Sequence, residues 1–145
     1  MLFGQSLTTI DKENRIAIPA SLAAMLTERV YITQGLDRNL LLIPESTFQI
    51  LYKQLQGLNL ADPQARLLLR MLLGTAFETR LDQAYYLELP DLLKEFAGID
   101  KKAVLIGQGG YIEIWAPGIW SQQELSYQDV DADPERFSHF NIAFG

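Results

Sequence analysis

Apolar and polar residues alternate along Arg15-Ile16-Ala17-Ile18 and again along Tyr86-Leu87-Glu88-Leu89, and each run closes on a proline, Pro19 or Pro90. A period of two predicts half-buried strands. The agreement extends upstream, because Asp11 to Pro19 aligns with Asp82 to Pro90 without a gap. A short helical pattern follows each proline, Ser21 to Leu26 and Leu92 to Gly98. Next come strand-like stretches, Val30 to Gly35 and Val104 to Gly109, then second strands, Leu40 to Ile43 and Tyr111 to Trp115. Each unit ends on a helix start carrying a large aromatic, Phe48 or Trp120. The chain therefore reads as strand–turn–strand–helix–strand–turn–strand–helix, twice, and a repeat of this kind dictates architecture.

The punctuation agrees. Pro19 and Pro90 suit a first helical position, where a missing N–H is harmless. Gly98 is placed to end a helix in the left-handed conformation. Gly109-Gly110 between apolar runs predicts a hairpin, and Leu36-Asp37-Arg38-Asn39 is the longer equivalent turn. Between the units, Phe48, Leu51, Tyr52 and Leu55 follow i, i+3, i+4, i+7 spacing, an amphipathic helix. A second helix starts at Asp62-Pro63, runs through Leu67 to Leu73 and stops at Gly74. It is apolar nearly all round, which predicts burial, either inside one chain or against another subunit. The expected organisation is a first repeat with connecting helices over 1–73, a second over 74–128, and an acidic tail over 129–145. The tail holds four acids and one arginine, with Phe137, Phe140, Ile142 and Phe144 near its end, which is expected to dock on the body.

At 145 residues the chain has the length of about one domain. With 48% hydrophobic and 21% charged residues its composition is globular rather than disordered. It has no cysteine, which excludes disulfides, thiolate metal sites and cysteine catalysis. Its one histidine, His139, excludes a multi-histidine metal site and argues against a histidine-based triad. No apolar run approaches the ~18 residues of a membrane span, and Met1-Leu2-Phe3-Gly4 lacks the basic start of a secretory signal. A cytoplasmic protein without metal, cofactor or small-molecule substrate is expected. The net charge of −6 is uneven, +1 over residues 1–73 and −7 over 74–145. An acidic whole opposes bulk attraction to nucleic acid, so any basic face must come mainly from the first half.

Asp11 and Asp82 could be read as a carboxylate pair for acid–base work, but their equivalent positions favour a shared role as turn caps. Gly107-Gln108-Gly109-Gly110 lacks the lysine of a phosphate loop and precedes a strand, so it reads as a turn. Trp115 and Trp120 read as core or interface aromatics. With no nucleophile–base pair and no ligand set, an enzyme is not expected.

The order and spacing of these elements resemble the MraZ family of bacterial transcription regulators, from Met1 to about Trp120. The residues that carry the resemblance are the opening Met-x-x-Gly with Asp11, Asp62 to Arg66 leading into Leu72 to Glu78, and Leu89-Pro90 through Phe96 to Lys101, Val104 to Gly107, Ile112 to Trp115 and Trp120. The resemblance implies an α+β fold, a mainly β swapped-hairpin barrel of the AbrB/SpoVT type, built from two repeats with flanking and connecting helices. It implies a nucleoid-associated ring of identical subunits that binds direct repeats in double-stranded DNA and represses the division and cell-wall gene cluster.

The family's DNA-reading signature is an Asp-x-Lys/x-Gly-Arg loop in each repeat, and both copies here depart from it. In the first, Asp11 and Arg15 are kept, but Glu13 and Asn14 replace Lys and Gly. In the second, Asp82 is kept, but Tyr85 and Tyr86 replace Gly and Arg. Asn14 tolerates the left-handed turn. Tyr85 would adopt it at a steric cost. Loss of arginine at 86 removes a bidentate donor for phosphate or guanine. The candidate DNA-binding residues are thus Arg15, Lys12, Asn14 and Tyr86; Tyr85 and Tyr86 offer rings that stack on bases or sugar, or one of them packs in its strand. The alternative is a ring-forming scaffold or interaction module that has lost DNA binding. Lys12, Arg15, Arg29, Arg38 and Lys53 on one face would favour the first reading, and their dispersal the second. The apolar Leu67–Leu73 helix predicts a stable oligomer. Light scattering should give several chain masses at micromolar concentration; a monomer there contradicts the expectation.

Overall fold

The computed structural model describes residues 1–129 and 131–143. The first repeat holds β1 (Gln5–Thr9), β2 (Arg15–Ala17), α1 (Ala20–Ala23), β3 (Val30–Gln34), β4 (Leu40–Pro44) and α2 (Glu45–Gln56). After the connecting helix α3 (Pro63–Leu72), the order recurs as β5 (Phe77–Thr79), β6 (Tyr86–Glu88), α4 (Asp91–Ala97), β7 (Lys102–Gly107), β8 (Ile112–Trp115) and α5 (Pro117–Gln128). A short 3-10 turn, Ser138–Phe140, lies in the tail.

The two units do not fold side by side. Six strands form one antiparallel sheet in the order β1-β7-β8-β4-β3-β5, and β2 pairs with β6 in a separate two-stranded ribbon. The first strand of each repeat is therefore paired in the other's half, β1 on β7 and β5 on β3. A pseudo-two-fold axis relates the halves. In the ribbon Ile16 pairs with Leu87, its own equivalent in the second repeat. In the sheet Leu41 pairs with Glu113, the second residue of β4 with the second of β8.

The alternation seen in the sequence supplies the core. Ile16, Ile18, Leu87 and Leu89 face inward and are buried, and they join Ile32, Leu42, Leu105, Ile112 and Ile114 in one cluster drawn from both repeats. Each such side chain contributes about 1.5–3 kcal/mol relative to exposure. Phe48 and Trp120 are both the fourth residue of their helices. Phe48 stacks on Tyr31 at 3.9 Å between ring centroids. Trp120 packs tilted against Trp115 at 5.5 Å.

The structure corrects two sequence expectations and narrows a third, the cover of the connecting helix, to part of its alternatives. Pro19 and Pro90 cap their helices from one position earlier, with extended ψ of 143° and 144°. Their rings set the entry φ without occupying the first turn. The connecting helix α3 is not buried within the chain. Ala65 and Leu72 are covered, while Leu67 is 57% exposed. Its end is tied to β3 by the buried Thr33 hydroxyl, 2.9 Å from the Leu72 carbonyl and 2.9 Å from the Thr75 hydroxyl. The tail's apolar end does not dock on the body: Phe137, Phe140 and Ile142 are exposed, and Phe144 lies outside the described residues. By contrast Gly98 ends α4 in the left-handed region at φ 66°, and Gly109, at φ 89°, turns β7 into β8.

The N-terminal arm is fixed by hydrogen bonds from Leu2 N–H to the Gly109 carbonyl and from Gly107 N–H to the Gly4 carbonyl, 2.9 and 2.8 Å. The Phe3 backbone lies over Gly107 where a β-carbon would project. Gly107→Ala should therefore destabilise the chain by about 1–3 kcal/mol in a denaturant titration, the usual effect of overpacking. A change below about 0.5 kcal/mol would show that the arm does not lie there.

Candidate nucleic-acid interface

The turns before β2 and β6 are built identically. In the first, the Asp11 carboxylate accepts from the Glu13 and Arg15 amides, both at 2.9 Å. In the second, the Asp82 carboxylate accepts from the Ala84 and Tyr86 amides, at 2.8 and 2.9 Å. The two aspartates are turn caps, as their equivalence in the sequence indicated. Each turn closes through a left-handed residue, Asn14 at φ 59° and Tyr85 at φ 68°.

The ribbon sets these turns beside each other. Beyond its three register pairs, Ile18 N–H donates to the Tyr85 carbonyl and Leu89 N–H to the Asn14 carbonyl, both at 2.8 Å. Each left-handed residue is thereby clasped by the other repeat. With Ile16 and Leu87 turned into the core, Arg15 and Ala17 share the opposite face with Tyr86 and Glu88.

Arg15 sits where the turns meet. Its Nε donates to Asp11 Oδ2 at 2.9 Å. Its terminal nitrogens have only long ion-pair contacts, 3.4 Å to Glu13 and 3.8 Å to Asp82, and make no hydrogen bond among the described residues. The guanidinium lies 5.3 Å from the centre of the Tyr86 ring, a cation–π distance. The Arg15 amide, ahead of the Glu13 amide and the Arg15 side chain, holds the Asp11 carboxyl below its ordinary range. The Asp11 hydrogen bond in turn raises the Arg15 guanidinium above its ordinary value. A depressed carboxylate contributes stability that is complete above its unfolded pKa and is lost as pH falls through the folded one. The Asp11 cap is thus intact at neutral pH and is released as the pH falls below the ordinary carboxylate range.

The other candidates stand differently. Asn14 is engaged at both ends of its carboxamide, donating to Asp91 at 2.6 Å and accepting from Lys94 at 2.7 Å, so it locks the turn onto α4. Lys12 is exposed at the tip and makes no ion pair among the described residues. Tyr86 is half-buried in β6, whereas Tyr85 is exposed. The residues that sequence reasoning missed are Asp91 and Lys94, and Asp82 as a partner of Arg15. No local pattern reveals them, because they meet Asn14 and Arg15 only through the pairing of the two repeats.

Three cations on this face, Lys12, Arg15 and Lys94, oppose five carboxylates, Asp11, Glu13, Asp82, Glu88 and Asp91. Arg29, Arg38 and Lys53, the other basic residues weighed from the sequence, do not reinforce it as a group. Arg29, at the start of β3, pairs with Glu45 and Glu78 at 3.2 and 3.1 Å. Arg38 lies at the opposite end of the β3–β4 hairpin, against Phe96, and Lys53 is on α2. Among the described residues no three His, Cys, Asp or Glu side chains are grouped to hold a metal ion, and no helix is long and apolar enough to cross a membrane.

A known family matches the chain in the same two halves. The family model described as "MraZ protein, putative antitoxin-like" matches twice, over residues 1–71 and 72–140. The chain belongs to the MraZ family. Relatives named transcriptional regulator MraZ include one from Desulfitobacterium hafniense, 35% identical over 91% of this chain and 92% of its own length. Another, from Roseiflexus sp., is 37% identical over the same shares. A third, from Herpetosiphon aurantiacus, is 35% identical over 98% of this chain and all of its own. All three relatives carry the name transcriptional regulator.

Departure from glycine at the second turn has a measurable signature. A left-handed residue with a β-carbon carries about 1–2 kcal/mol of steric cost that glycine escapes. Tyr85→Gly should therefore be more stable than Tyr85→Ala by about 1 kcal/mol, read from paired thermal unfolding curves. At a position with negative φ the order reverses, and that reversal would remove Tyr85 from the left-handed turn.

Proposed function

We propose that the chain is a DNA-binding transcriptional regulator, a repressor of the division and cell-wall gene cluster. In this reading it works at the nucleoid as a ring of AbrB-type swapped-hairpin subunits on promoter direct repeats. The naming of its relatives as transcriptional regulators supports the class. The observation that carries the reading is the state of Arg15. Its Nε is fixed by Asp11 at 2.9 Å, while its terminal nitrogens make only the 3.4 and 3.8 Å contacts with Glu13 and Asp82, without a hydrogen bond among the described residues, and its side chain is 41% exposed. A fork oriented by one carboxylate and held only loosely by the others can exchange those contacts for a phosphate or a guanine edge with little loss of rotamer freedom. Lys12 adds a second positive charge at the tip. Asn14 acts through the backbone, by holding the turn on α4, and Tyr86 backs the guanidinium with its ring.

The excess of carboxylates over cations on this face favours the second reading, a ring-forming scaffold or interaction module that has lost DNA binding. Glu13 and Asp82 would lie beside any phosphate that Arg15 accepts. Binding therefore has to gain from repetition: a ring offers one such turn per subunit, and linked weak contacts multiply.

DNA from upstream of the protein's own gene, titrated at two salt concentrations, separates the readings. The parent should bind in a salt-dependent manner. Arg15→Ala should weaken binding and lower the salt slope by about one for each phosphate that Arg15 neutralises. Tyr86→Ala should leave the slope unchanged, since a tyrosine releases no counterion. Tyr86→Arg should strengthen binding, because Asp82 can orient the new side chain as Asp11 orients Arg15. Equal affinity and slope for the parent and Arg15→Ala would remove Arg15 as the reader. No binding by the parent above a neutral control protein would leave the scaffold.

A further inference from the structure

The two repeats differ in the segment after their last helix. After α2 comes α3; after α5 comes the acidic tail. Between α2, α3 and the β3–β4 turn lie two adjoining apolar hollows of about 280 and 310 Å³, which meet at Leu36. Leu36, Ile50 and Leu67 on their rims are 75%, 62% and 57% exposed. Single exposed leucines are ordinary, but contiguous apolar hollows on a soluble surface mark an interaction site. The tail carries the complementary material. Arg136 ties it to the end of α5 by donating to the Ser126 and Tyr127 carbonyls at 2.6 and 3.3 Å. Beyond that tie, Phe137, Phe140 and Ile142 are 59%, 59% and 72% exposed.

We propose that the Phe137/Phe140/Ile142 end of one copy's tail seats in the apolar groove between α2 and α3 of a second copy. Charge supports this pairing. From the start of α2 to Leu73 the chain carries Lys53, Arg66 and Arg70 against Asp62 and Glu45, the latter paired with Arg29, whereas the tail carries Asp129, Asp131, Asp133 and Glu135 against Arg136. Placement supports it too. α5 packs on β7, next to one edge of the sheet, and α2 packs on β4 and β3, toward the other. The helix that leads into the tail and the helix that lines the groove thus lie toward opposite edges of the sheet, one of each per chain. Such a head-to-tail contact repeats from copy to copy and forms a ring when the rotation closes. The inference rests on the assembly part of the proposed function and supplies its contact.

Two measurements on the full-length chain test it: mass by light scattering, and binding of a labelled synthetic peptide of residues 131–145. The double variant Phe137→Ser/Phe140→Ser should lose the parent's oligomeric mass at micromolar concentration. The peptide should bind that variant saturably, more weakly at high salt. Leu67→Asp, introduced at an exposed helix position with unchanged circular dichroism, should weaken peptide binding at least tenfold. A variant that keeps the parent's mass, or a peptide that binds equally with Leu67→Asp, overturns the proposal. A monomeric parent whose groove is occupied by its own tail also overturns it, in favour of docking within one copy. A monomeric parent contradicts the ring whatever the peptide does, whereas an oligomeric parent indifferent to tail and groove contradicts the tail contact alone.

Discussion

The antiparallel pairing of β2 with β6 about Ile16 and Leu87 is the constraint on which the rest of the molecule depends. Two three-residue strands are too short to be stable alone in water. Here they persist because Ile16 and Leu87 are fully buried in one cluster built from both repeats. Two further backbone hydrogen bonds, from Ile18 and Leu89 to the carbonyls of Tyr85 and Asn14, extend the ladder into the turns. The exchange of β1 and β5 between the halves of the sheet makes the same connection from the other side. The main core is thus shared by both repeats, with only the small Val104, Ile106 and Trp115 cluster belonging to the second alone, and the two turns form a single composite surface.

That surface is strongly asymmetric although its backbone is not. The Asp11 and Asp82 caps match in kind, donor for donor. The side chains they support diverge. Asp11 orients a guanidinium, while the residue in the equivalent place, Tyr86, lies under that guanidinium as a ring. Asp82 faces Arg15 across the pair at 3.8 Å. One arginine is therefore shared between two turns, and the carboxylates that position it also lower the potential that would attract a phosphate. In the proposed DNA-binding reading, affinity from this face would come from directed hydrogen bonds and repetition rather than from bulk charge.

Much of this was legible in the sequence because it is local or periodic. The alignment of Asp11 to Pro19 with Asp82 to Pro90, the two aspartate caps, the left-handed Gly98 and the Gly109 hairpin each follow from residue chemistry within a few positions. The family's glycine position, where Tyr85 stands, also marked a left-handed turn. What escaped was non-local. The Asn14 link to Asp91 and Lys94 joins the two repeats and exists only because the ribbon brings α4 to the first turn. The exposure of α3 escaped for a different reason. An all-round apolar helix signals burial, but the sequence does not say whether the cover comes from the same chain. The helix-start prolines were displaced by a single residue, since a ring that fixes φ suits the cap as well as the first turn.

The central claim, that one core is shared by both repeats through the ribbon, is tested most directly by a double-mutant cycle on Ile16→Ala and Leu87→Ala followed by denaturant unfolding. Each single substitution should cost about 2–5 kcal/mol. The pair should unfold in one transition, with a coupling above about 0.5 kcal/mol, as expected for residues in contact. Additive costs, or two separate transitions for the two halves, would contradict the shared core.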